Sequence, residues 1–161
     1  MTERRIYLMR HGLAEDIAPS RRDADRRLLE EGRRRIERTF AAIKRLDLQV
    51  DLLASSPRLR CIETADVLAQ SIRPQRREIW PELDCDVDEI ALAARIDAES
   101  AGTSVMLVGH QPDCSAILSG WLCGRADAFS IKFRKGAIAC VRVESLLPAG
   151  RATLEFFLPP L

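Results

Sequence analysis

The stretch IYLMRHG, residues 6–12, sets four apolar residues directly before Arg10, His11 and Gly12. A short unbroken apolar run of this kind reads as a strand covered on both faces. Two other stretches repeat the pattern. DLLAS (51–55) runs into Ser56-Pro57-Arg58-Leu59-Arg60, and SVMLVG (104–109) runs into His110-Gln111-Pro112. The chain has two histidines, and each follows a predicted buried strand.

Helical spacing fills the intervals. Between Glu30 and Leu46, Ile36, Phe40 and Ile43 form one stripe; between Leu59 and Ala69, Cys61, Ala65 and Leu68 form another. Residues 88–98 are an Ala-rich helical candidate. Pro112 and Asp113 open a further helix, with Gly124 as its stop. A short extended piece is expected near Glu78–Trp80. AIACVRVE (137–144) and ATLEFFL (152–158) read as strands joined in a hairpin across Pro148-Ala149-Gly150. This alternation predicts a three-layer α/β/α sandwich around a mostly parallel sheet, with residues 1–161 as one domain.

Composition narrows the function classes. A formal charge of +1 argues against a general nucleic-acid binder. No window approaches the ~20 apolar residues of a membrane span, and the N-terminal apolar run is too short for a signal peptide. The five cysteines are odd in number and form no C-x-x-C pair, so reduced thiols in the cytoplasm are expected. Residues 21–45 hold ten basic and five acidic residues, read as a solvated face or as a basic rim attracting an anion.

Ligands of open α/β sheets bind at the carboxyl ends of strands. Three such ends deliver His11, His110 and the arginines to one rim, and a helix start after Ser56 adds free N–H groups. Guanidinium forks match phosphate oxygens and stay charged. An unprotonated histidine nitrogen can accept a phosphoryl group while the other nitrogen is held. Gly12 is expected to let the backbone approach the phosphate closely. The arginines supply the charge, so no metal or cofactor is needed.

MRHG after one strand, SPRLRCIETA after a second and VGHQP after a third resemble the histidine phosphatase superfamily, also called phosphoglycerate mutase-like. The short chain is most similar to the phosphohistidine phosphatases of the SixA type. The resemblance implies His11 as the nucleophile, Arg10 and Arg60 as ligands of the phosphoryl oxygens, and His110 as the residue completing the pocket. It places Glu82, in WPEL, where larger members carry a proton-donating carboxylate. Arg26 falls where the short members carry an arginine before Pro-Leu-Thr, although Arg27-Leu28-Leu29 stands here. The implied substrate is a phosphohistidine-bearing protein or a small phosphorylated metabolite.

Plainer readings accompany these. Trp80 and Trp121 suit core packing, and Cys114 suits a buried thiol. A phosphate-binding module with little or no turnover is the alternative function. A metal hydrolase would have to draw on Glu15 and Asp16 near His11.

Overall fold

The structure is a computed structural model that describes residues 2–161. The elements run β1 (Arg4–Arg10), α1 (Glu30–Ala42), β2 (Leu52–Ser55), α2 (Leu59–Ile72), β3 (Arg76–Ile79), α3 (Glu89–Asp97), β4 (Val105–Gly109), α4 (Asp113–Cys123), β5 (Ile138–Val143) and β6 (Thr153–Leu158). The six strands form one sheet in the order β3-β2-β4-β1-β5-β6. Pairings β2–β3, β2–β4 and β1–β4 are parallel; β5 runs antiparallel to both β1 and β6. Only β5 is therefore reversed.

Two apolar cores lie on opposite faces of this sheet, as a three-layer α/β/α sandwich requires. Ile6, Leu8, Leu52, Ala54, Val105 and Leu107 face α3 and α4. Tyr7, Met9, Leu53, Met106 and Val108 face α1 and α2. Alternate residues of one strand feed alternate layers, so both must be apolar. That is why β4 is buried at every position and its sequence shows no alternation.

The predicted elements are present, with differences at their margins. α1 ends at Ala42 rather than Leu46; residues Lys44–Leu46 tighten into a 3-10 turn that stops at Asp47, whose φ is +46°. The piece expected near Glu78–Trp80 is β3, which begins at Arg76 and pairs parallel to β2. It is an edge strand bearing Arg76, Arg77 and Glu78, and charge on an edge discourages pairing with other chains. Such a strand carries no apolar pattern to read.

Register brings the motifs together. Arg10 pairs with Gly109 and Ser55 with Val108, so β1, β2 and β4 end in step. The backbone N–H of His11 then donates to the Gly109 carbonyl at 3.0 Å, and that of Ser56 to the Val108 carbonyl at 3.0 Å. α1 is pressed against the chain leaving β1: a Cβ on Gly32 would stand 2.3 Å from the Leu13 carbonyl oxygen.

Candidate active site

His11 and His110 each follow the last residue of neighbouring strands, and both are buried. Their ring centroids lie 5.4 Å apart. Arg60, in the first turn of α2, reaches between them. Its Nε–H donates to His11 Nε2 at 3.2 Å, and its Nη2 lies 3.3 Å from His110 Nδ1. A guanidinium has only donors, so both facing nitrogens must be acceptors. The remaining contacts agree. His11 Nδ1–H donates to the Gly12 carbonyl at 2.8 Å, and His110 Nε2–H donates to Ser56 Oγ at 2.7 Å. Both tautomers are set by bonds on two sides of each ring.

Electrostatics keeps both rings neutral. Burial is the largest cause of the fall in the His11 pKa to about 3; the Gly12 carbonyl opposes it, while Arg60, His110 and Arg10 add to it. Burial, then Arg60 and Arg58, brings His110 down to about 4. A neutral His11 with its lone pair on Nε2 is the form able to attack phosphorus.

Arg10 ends β1. It donates from Nη1 to the Phe133 carbonyl at 2.8 Å, and its Nε is buried without a partner. Burial first, and then the nearby Arg60 charge, lowers its pKa. The chain around Gly136 lies against this corner, with the Gly136 N–H on the carbonyls of Arg10 and His11.

Gly12 plays a different part from the expected one. Its N–H is already given to Thr64 Oγ1 at 3.0 Å, so it is not free for a phosphate. A Cβ there would come within 2.8 Å of Ile36 Cδ1 and of Leu28 Cδ1. A side chain there would push aside the tips of Ile36, on α1, and of Leu28, in the loop before it. The contribution of Gly12 to the site is its carbonyl.

Glu82 is not joined to the histidines by any hydrogen bond. Arg95 Nη1 binds both of its oxygens, at 2.7 and 2.9 Å. Burial favours the neutral acid, but a backbone N–H and Arg95 outweigh it and lower the pKa. An ionised, clamped carboxylate is a poor proton donor. Trp80 is fully buried, as expected, beneath the Arg95 guanidinium.

Arg26 reaches the site through an intermediary. It donates to the Glu15 carbonyl at 2.6 Å and to Asp23 Oδ1 at 2.9 Å. Asp23 was not foreseen from sequence. Its Oδ2 receives Arg60 Nη2 at 3.1 Å and also Arg58 Nη1, while its backbone carbonyl receives Arg60 Nη1 at 2.9 Å. Burial raises the Asp23 pKa, but Arg26, Arg60 and Arg58 together hold it at about 2. The basic segment is thus neither a wholly solvated face nor a simple rim: its start folds over α2 as a short 3-10 turn, Asp23–Asp25. Glu15 is likewise engaged, with Arg21 and the Arg27 N–H.

The cysteines behave as spacers here. Cys61 is buried with Sγ 3.6 Å from His110 Nε2, and burial raises its pKa to about 12. Cys114 is fully buried, and burial raises its pKa too. Both are inert thiols.

Together these features define an α/β protein with two neutral imidazoles at the ends of its central strands and the buried Arg60 guanidinium between them. The sequence pattern of the histidine phosphatase superfamily (branch 1) matches residues 6–92, and the chain belongs to that superfamily. An uncharacterised protein of Picosynechococcus sp. is 31% identical over 110 residues, 67% of each chain. The protein histidine phosphatase SixA complexed with tungstate superposes with a TM-score of 0.83 at 24% identity, over 96% of each chain. A structure from Agrobacterium tumefaciens, assigned as a phosphohistidine phosphatase SixA, gives 0.80 at 27% identity, over 98% of each chain. Among the described residues, no helix is long and apolar enough to cross a membrane.

Proposed function

We propose that residues 1–161 form one catalytic domain, a metal-independent cytoplasmic phosphatase working through a phosphorylated His11. Its substrate is a phosphohistidine-bearing protein or a small phosphomonoester. The observation that carries this reading is the bridge made by Arg60 between His11 Nε2 and His110 Nδ1, all three side chains being buried. Likeness to the SixA proteins, one of them assigned as a phosphohistidine phosphatase, favours the N–P substrate.

The reaction has two steps. A phosphoryl dianion draws the Arg60 donors onto its oxygens, and Arg10 Nε gains the acceptor it lacks in the free protein. Nε2 of His11 attacks phosphorus in line, a P–N bond forms, and the bond to the leaving group breaks. The leaving group takes its proton from water. Water then attacks phospho-His11, releasing inorganic phosphate and returning His11 to the neutral ring. Positioning and guanidinium charge do most of the work on a phosphoryl transition state.

A burst of phosphoenzyme tests this. Wild type mixed with an aryl phosphate is expected to yield an acid-labile, base-stable phosphohistidine and to release phosphate. His11→Ala is expected to lose both, with turnover down at least about 10^3-fold. Phosphate bound without release would indicate a binding module instead.

A further inference from the structure

A second cluster shares His110 with the proposed phosphate site. The 3-10 turn Pro81–Leu83, which follows β3, carries the chain to Asp84 and Cys85. Potential ligand atoms of Asp84, Cys85 and His110 all lie within 4.8 Å of one another. We propose that these three side chains bind a thiophilic divalent cation, zinc in the first instance, and that the bound ion blocks the proposed phosphate site by occupying His110.

The donor set is one sulfur, one imidazole nitrogen and one carboxylate oxygen. That mixture suits zinc and not magnesium, which prefers oxygen alone. Asp84 and Cys85 offer open donor positions, and His110 offers one once Arg60 is displaced. Arg58 Nε and the Cys85 N–H both bond Asp84 Oδ1, at 2.5 and 2.8 Å, and Oδ2 takes no hydrogen bond among the described residues. Cys85 is exposed, so its thiol can turn and give up its proton to solvent on binding. His110 is buried and neutral, and its Ser56 bond is the kind of outer contact that orients a metal-bound imidazole; the ligand nitrogen is then Nδ1, from which the ion displaces Arg60 Nη2, now 3.3 Å away.

Zinc bond lengths of about 2.0–2.3 Å place tetrahedral ligands about 3.3–3.6 Å apart. The ligand atoms already lie within 4.8 Å of one another, so closing asks for a small rotation, which the exposed Cys85 side chain can make. Arg58 and Arg60 stand nearby and repel a cation, so the site suits reversible inhibition rather than permanent occupancy. Three protein ligands leave the fourth position to water.

Occupancy by an ion ties up His110. Inhibition rests on the proposed reaction; ion binding does not. The experiment is zinc titration of the full reduced chain by calorimetry, alongside Cys85→Ser and Cys123→Ser. Cys123 is the other exposed thiol and serves as the control. Wild type and Cys123→Ser are expected to bind one zinc per chain, and Cys85→Ser to bind at least about tenfold more weakly. Cobalt is expected to give a near-ultraviolet thiolate band that Cys85→Ser lacks. Zinc should also suppress aryl phosphate turnover in wild type, reversibly by chelator, and less in Cys85→Ser. Absence of zinc binding, or undiminished binding by Cys85→Ser, overturns the proposal. Zinc bound as expected by a chain without turnover sinks only the phosphatase reading.

Discussion

Arg60 Nε–H meets the lone pair of His11 Nε2 at 3.2 Å, while the Gly12 carbonyl holds the opposite nitrogen at 2.8 Å. The nitrogen proposed to attack is therefore oriented but capped in the free protein. An incoming dianion must take the Arg60 donor for itself, which uncovers the lone pair as the phosphorus arrives. Binding and activation are then one event.

Neutral rings predict a pH dependence. His11 and His110 have folded values of about 3 and about 4, against an ordinary 6.5. Below pH 6.5 the unfolded chain takes up protons that the folded chain refuses. Stability falls as pH drops through this window and levels off only near the folded values. Each ring costs about 1.4 kcal/mol per pH unit there. Between pH 6.5 and 5, His11→Asn is expected to lose about 2 kcal/mol less than wild type in urea unfolding. Imidazole proton resonances of the folded protein should stay flat from pH 8 to 5; an inflection near 6.5 would contradict the burial argument.

Asp23 competes with substrate. Its Oδ2 takes Arg60 Nη2, a donor that the proposed reaction gives to phosphate, and also Arg58 Nη1. Removing the charge with Asp23→Asn is expected to tighten inorganic phosphate binding about tenfold, read as a competitive inhibition constant. Weaker phosphate binding would mean that Asp23 chiefly positions the arginines.

Gly12→Ala tests the packing explanation. The new methyl meets Ile36 Cδ1 and Leu28 Cδ1, each at 2.8 Å. Overpacking of this kind costs about 1–3 kcal/mol. Ile36→Val deletes one of the two colliding atoms and should restore part of the loss in thermal unfolding. Failure of that rescue would place the strain in the backbone instead.

Glu82→Gln separates a clamped carboxylate from an acid catalyst. Its two oxygens are held by Arg95. The expected fall in kcat on an aryl phosphate is less than about threefold. A general acid would show a loss on the order of 10^2-fold or more.

Legibility in the sequence followed burial. IYLM, LLAS and VMLVG are covered on both faces, so their apolar runs are continuous and unmistakable. The histidines stand just after two of those runs and Arg60 in the first turn of the helix that follows the third, where the carboxyl edge of a parallel sheet gathers ligands. β3 was legible only as a short extended piece near Glu78–Trp80, its start at Arg76 missed, because a charged edge strand has no apolar signature. Asp23 escaped because its partner Arg60 lies 37 residues away and on another element.

From its sequence alone, this chain determines the alternation of strands and helices, the strand ends at which His11 and His110 stand, and the family to which it belongs. Only the folded protein decides which donor meets which acceptor: that Arg60 faces both imidazoles, that Gly12 serves through its carbonyl, and that Arg95 claims Glu82. Hydrophobic periodicity is local and additive along the chain. Hydrogen-bond partnership depends on which loop lies over the sheet edge, and that is settled by packing between residues far apart in sequence.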